Sequence, residues 1–140
     1  MLGKYWENYV HDTAVGVRGI GATMEEAFEQ VAIAMTATIT NPLNVDHLEE
    51  LDLACQAPDD KSLLAEWLNA IVSEMSSRHM LFSRFAVRIN EHQLQAHLWG
   101  EEIKPSKHVP AVEVRGATNT DLRVLQDDTG AWLAQCVVEV

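Results

Sequence analysis

Residues 62–85, SLLAEWLNAIVSEMSSRHMLFSRF, limit what this chain can fold into more than any other stretch. Leu63, Leu64, Trp67, Leu68, Ile71, Val72 and Met75 recur at the three- and four-residue spacing of one broad helical stripe. Lys61, Glu66, Asn69, Glu74, Ser77 and Arg78 fall on the other side and predict a solvent face. Pro58 stops the preceding strand, and Asp59 or Asp60 is placed to accept a hydrogen bond from the free amides of the first turn. So large an apolar stripe needs a sheet to lie on, and the rest of the chain reads as that sheet.

Before this helix, residues 4–10 mix Tyr5, Trp6, Tyr9 and Val10 and predict a first strand, with His11-Asp12-Thr13-Ala14 as a polar break. Residues 15–20 form a second strand, and Gly19 and Gly21 mark its exit turn. Thr23-Met24-Glu25-Glu26 is a capping box that opens a helix with Met24, Phe28, Val31, Ala32, Met35 and Ile39 inward. That helix ends before Asn41-Pro42, and loop 43–46 leads to a strand in which Leu51, Leu53 and Cys55 share a face. After the central helix, Phe85, Val87 and Ile89 alternate as a strand. A turn at Asn90-Glu91-His92-Gln93 returns the chain into Leu94, Ala96 and Leu98. Residues 100–107 predict a charged loop, 112–116 and 122–125 two more strands, and Asp127-Asp128-Thr129-Gly130 a turn into a last strand, 132–140. The expected fold is α+β: a single domain, 1–140, with two helices on a mostly antiparallel sheet in a two-layer sandwich.

Composition narrows the function. A net charge of −11, with only ten Lys and Arg, argues against a direct grip on a phosphate backbone and points to a basic protein partner for any role near RNA. Cys55 and Cys136 lie in apolar runs outside any metal-spaced cluster and predict reduced, buried thiols. The N-terminus lacks the apolar core of a leader and no run has the length of a membrane span, so the cytoplasm is the expected location. The glycines Gly16, Gly19 and Gly21 lack the spacing of a dinucleotide fingerprint, and no G-x-S-x-G, H-E-x-x-H or paired C-x-x-C occurs. His92 and His97 flank a hairpin and read as surface residues, while Trp67 and Trp132 fall at core positions. One local feature is less ordinary: His11 and Asp12 at a strand break, and Glu139 at the far end of the chain, form a hard-cation cluster if the two terminal strands meet.

The segments VGVRGIGATMEEAFEQVAIAMTATIT, LLAEWLNAIVSEMSSRHMLFSRF and AVEVRGATNTDLRV, in this order, resemble the archease family over nearly the whole chain. The resemblance implies a small acidic, non-enzymatic accessory factor of the GTP-dependent tRNA ligase that joins 2′,3′-cyclic phosphate or 3′-phosphate ends to 5′-hydroxyl ends in tRNA splicing and RNA repair. It implies promotion of that ligase's guanylylation and turnover, contact with RNA only through the ligase, and no membrane. A chaperone role, or a protein-binding module without cation dependence, is the alternative.

The family's His-x-Ala-Asp-Ile-Gly motif reads here His11-Asp12-Thr13-Ala14-Val15-Gly16, so Ala14 stands where the family has its cation-binding Asp. The resemblance implies a divalent cation, with Ca²⁺ the candidate ion. Its ligands here would be Asp12, on the same face two residues earlier if the segment is extended, and Glu139, one methylene longer than the family's Asp. Whether Asp12 reaches the ion is left open by the sequence. His11 and Arg115 are the implied partner contacts. Arg115 keeps the charge of the family's Lys-x-x-Thr segment before Thr118, whereas Asn119 and Thr120 depart from the aromatic and His that often follow.

Overall fold

The computed structural model describes residues 3–140. Its strands are β1 (Tyr5–His11), β2 (Ala14–Gly21), β3 (Glu49–Gln56), β4 (Met80–Asn90), β5 (Gln93–Glu102), β6 (Gly116–Ala117), β7 (Arg123–Gln126) and β8 (Trp132–Glu139). Helices α1 (Met24–Ile39) and α2 (Asp60–Arg78) are joined by a one-turn α3 (Pro105–His108) and a 3₁₀ turn, Pro42–Asn44. Every strand pair is antiparallel. The α+β class holds, but the strands divide into two sheets. One has the order β1-β2-β8-β6 with β7 also on β8; the other is β3-β5-β4.

Both long helices start where local chemistry places their caps. Thr23 Oγ1 accepts from Glu26 N–H at 3.1 Å, and Glu26 Oε1 accepts from Ala22 N–H at 2.8 Å. For α2 the cap is Asp59, whose Oδ1 accepts from Ser62 N–H at 2.8 Å. His79, in the left-handed region at φ 54°, ends α2 with its N–H on Met75 O. The chain therefore turns straight into β4 at Met80, five residues before the alternation of Phe85, Val87 and Ile89 begins. Met80, Leu81 and Phe82 are all buried, and an irregularity between Phe82 and Arg84 resets the strand's facing, which hides it from a period-two reading.

Leu63, Leu64, Trp67, Leu68, Ile71 and Met75 are buried, with Val72 partly so, and they join one core that includes α1 and both sheets. Trp67 has no exposed surface. Its ring meets Phe85 edge-on at 6.0 Å, and its Nε1–H donates to Phe28 O of α1 at 3.0 Å. Asn69 is exposed, as its spacing predicts, and also accepts Ala117 N–H through Oδ1 at 2.9 Å, which fastens β6 to α2. Gly19 and Gly21 are not an exit turn but belong to β2. A Cβ on Gly19 would stand 2.2 Å from Ala27 O and 2.3 Å from Val31 N, so its bareness lets α1 lie directly on the strand. The expected strand 112–116 shrinks to β6; residues 109–115 have no regular structure.

The expected charged loop 100–107 is also different. β5 runs through Glu101, which is 1% exposed, and Lys107 Nζ (2.7 Å), Asp46 N–H (2.7 Å) and His108 Nε2 (3.2 Å) all converge on its Oε2. Oε1 is buried with no hydrogen bond, and Lys104 Nζ lies 4.0 Å from it. The Lys107 hydrogen bond, against the opposing effect of desolvation, pulls the Glu101 carboxyl down to about 2. A depressed carboxylate stabilises the fold fully above its ordinary value of 4.5 and loses that contribution as pH falls toward about 2. Glu101→Gln should therefore lower stability at neutral pH by about 1–3 kcal/mol and flatten the acid limb of stability against pH, as followed by urea denaturation. Separately, Trp67→Ala should cost about 3–5 kcal/mol in the same measurement.

Candidate functional site

The residues singled out in the sequence lie at the end of the five-stranded sheet where β1 and β8 finish and β2 begins. β1 and β2 are joined by the two residues Asp12 and Thr13, with Asp12 at φ 55°. His11 pairs with Ala14, Tyr9 with Gly16 and Glu7 with Arg18, so these six share one face of the sheet. Asn8, on the opposite face, donates to Ala34 O of α1 at 3.0 Å, which fixes that side as inner and the other as outer. Val15 pairs with Val138 and Gly16 with Val137; continued by one residue, this register sets Ala14 beside Glu139 on the outer face. On its other edge Glu139 pairs with Gly116, and Glu139 O accepts from Arg115 N–H at 2.7 Å. His11, Ala14, Glu139 and Gly116 thus form one row across the sheet, with Arg115 exposed at its edge.

A second row lies beneath it. The Tyr9 ring covers Gly16, where a Cβ would come within 2.2 Å of the ring. Tyr9 O–H donates to Asp121 Oδ2 at 2.8 Å, and Arg123 Nε lies 3.2 Å from Asp121 Oδ1. Arg18 stacks over the Tyr9 ring at 4.3 Å while its guanidinium reaches Glu7 at 2.6 Å and Gln135 at 2.8 Å. Thr118 builds the loop that carries Asp121: its N–H and Oγ1 both donate to Val137 O, at 3.0 and 2.7 Å. The Tyr9 hydrogen bond holds the Asp121 carboxyl below the usual range, with further help from Arg123 and His11. Burial, reinforced by the same bond, pushes the Tyr9 hydroxyl above its ordinary value. Tyr9, Arg18 and Asp121 were not singled out by the sequence reading. The period-two series Glu7, Tyr9, His11 was the available signal; nothing local marked Asp121.

Around Ala14, no three His, Cys, Asp or Glu side chains converge among the described residues. Asp12 occupies a left-handed turn rather than an extended segment, so the argument that it shares the face of Ala14 does not carry over. Ala14 offers no donor, and Asp121 is engaged by Tyr9 and Arg123. Among the described residues, one set of three His, Cys, Asp or Glu ligand atoms converges, and it lies on β3 and β5. A hard cation here would have to draw most of its oxygens from backbone carbonyls and waters. The thiols do not help: burial raises Cys55 to about 11 and Cys136 to about 12. Nor does the contact of His47 Nε2 with Ser83 Oγ at 2.9 Å make a nucleophile. The Ser83 hydroxyl donates to Val45 O at 2.8 Å, which leaves the imidazole as donor rather than base.

Fold and site define a small α+β domain with a mixed-charge polar row at one sheet end and, among the described residues, no helix long and apolar enough to cross a membrane. Residues 6–140 match the model of the Archease protein family (MTH1598/TM1083). The chain is 33% identical to the protein archease of Pyrococcus furiosus and 34% identical to that of Pyrococcus abyssi, each alignment covering 98% of this chain and 99% of the relative. The solution structure of Methanobacterium thermoautotrophicum protein 1598 superposes with a TM-score of 0.84 at 29% identity, covering 96% of this chain and 98% of that one. The chain belongs to the archease family. Calorimetric titration of Ca²⁺ into the chelator-stripped chain should give no saturable heat that Glu139→Ala removes. Ala14→Asp, which returns a carboxylate beside Glu139, should raise Ca²⁺ affinity by about tenfold or more, the scale of one added charged contact.

Proposed function

We propose that this chain is an accessory protein that activates a GTP-dependent tRNA-splicing and RNA-repair ligase, promoting its guanylylation and repeated turnover. It forms no covalent intermediate itself. The observation that carries the reading is the family match across residues 6–140. Charge supports it. A net charge of −11 favours encounter with a basic RNA enzyme, and RNA is reached only through that partner. Of the ten Lys and Arg, Arg18, Arg78, Lys104, Lys107 and Arg123 are within ion-pair distance of carboxylates, so half of an already small positive charge is paired within the chain.

The contact surface in this reading is the outer row His11, Glu139 and Arg115, held flat by the Tyr9–Asp121 bond beneath it. A rigid polar row on paired strands can orient a partner's loop without conformational cost to the accessory protein. A second reading, a protein-binding or chaperone module without cation dependence, is favoured by Ala14 and by the absence of converging oxygen donors around it among the described residues.

The test is guanylylation of a cognate ligase with GTP, with and without the folded chain. The activator reading predicts stimulation, reduced by about tenfold in His11→Ala or Glu139→Ala. Absence of stimulation rejects it. The chaperone reading predicts suppression of ligase aggregation that both substitutions leave intact.

A further inference from the structure

The edge of a sheet presents unpaired N–H and C=O groups to any strand that can reach it, and most edges in this fold are guarded. On β4 the Val87 N–H donates to Glu29 Oε2 of α1 at 2.8 Å, and Thr36 of the same helix donates to Phe82 O at 2.6 Å. β6 and β7 are short, and Asn69 takes the Ala117 N–H. β3 is long but carries Glu49, Glu50 and Asp52, whose like charges oppose pairing with another acidic strand. β1 has none of these devices. It holds no proline, pairs with β2 without a bulge, and its one carboxylate, Glu7, is met by Arg18 at 2.6 Å.

Register decides what this edge presents. His11 and Ala14 close a two-residue turn, so residues 5, 7, 9 and 11 direct their backbone groups to β2. Those of Trp6, Asn8 and Val10 therefore point away from the sheet, and none has a backbone partner among the described residues. Trp6 is 38% and Val10 79% exposed, on the inner side that α1 covers, and Tyr5 is 50% exposed on the outer side.

We propose that β1 pairs antiparallel with β1 of a second copy of this chain, across a two-fold axis at Asn8, joining two five-stranded sheets into one. The strand is complementary to itself in that register. Trp6 falls opposite the partner's Val10 on the inner side, and Tyr5 falls opposite the partner's His11 on the outer side. Lys4 falls opposite the partner's Asp12, and neither is in an ion pair within its own chain among the described residues. With Arg18 set against Glu7, the strip from Lys4 to Asp12 is neutral, which lets two copies of a chain at −11 approach there. The space fits as well. α1 lies on β2, and the two β2 strands would stand three strand spacings apart, about 14 Å. A helix with its side chains is about 10 Å across, so the slot between the two α1 helices is one that Trp6 and Val10 of both copies fill.

The experiment is sedimentation equilibrium on the untagged full chain alone, in a concentration series up to about 1 mM, with folding of every variant confirmed by circular dichroism. The parent should be a reversible dimer. Amide exchange at Trp6, Asn8 and Val10 should slow as the dimer forms, while that of Tyr9, already paired with β2, stays constant. Val10→Lys, which puts a charge into the slot between the helices, should weaken the dimer about tenfold or more. Lys4→Glu should also weaken it, and Lys4→Glu with Asp12→Lys should restore it. Leu125→Lys is the control, because Leu125 is exposed on β7 at the opposite edge of the same sheet; it should dimerise as the parent does. A parent that stays monomeric throughout the series overturns the proposal. So does a dimer that Val10→Lys leaves intact or that Leu125→Lys dissolves, and so does a double variant that stays as weak as Lys4→Glu.

Discussion

The structure depends on Trp67. This residue of α2 places its ring edge against Phe85 of the three-stranded sheet and donates its one N–H to the Phe28 carbonyl of α1. Helix α1 in turn lies on β2 of the five-stranded sheet, at a distance that only the bare Gly19 permits. One side chain therefore couples both helices to both sheets. A fully buried Trp removes a large apolar area from water and, with its N–H satisfied, leaves no polar cost behind. The smaller attachments presuppose this joint. Asn69 can hold β6 only once α2 is seated, and β6 in turn fixes Arg115 beside Glu139.

Two outer faces result, one per sheet, and they differ in chemistry. The five-stranded face is closed: Tyr9 roofs Gly16, Arg18 roofs Tyr9, and Asp121 is held between Tyr9 and Arg123. Its charges are spent on one another except in the terminal row of His11, Glu139 and Arg115. The three-stranded face is open, with the small Ala54 and Ala86 on its two outer strands.

What was legible in the sequence follows the range of the interactions. Both helix caps, the stripe of α2 and the hairpin at Glu91-His92, with φ of 50° and 63°, are local and were readable. The division into two sheets was not, because strand partners are chosen by long-range register rather than by alternation. Met80–Phe82 carried no period-two signal because the chain is buried on both faces there. Glu101 looked like a loop charge because its partners, Asp46 and Lys107, come from separate segments. At the candidate site His11 and Glu139 fall in one row of the sheet with Arg115 beside its edge, whereas Asp12 depended on an extended backbone that the turn does not adopt. Asp121 is defined by Tyr9, more than a hundred residues away along the chain, and no local pattern reports that contact.

The central claim is that the end of the five-stranded sheet is the face this protein offers to its partner. Amide chemical-shift mapping of the labelled chain against a cognate ligase tests it most directly. The account predicts changes gathered at the β1–β2 turn, at Thr118–Asp121 and at the last residues of β8, with the three-stranded face unmoved. Changes confined to β3, β4 and β5, with His11, Arg115 and Glu139 undisturbed, would contradict it.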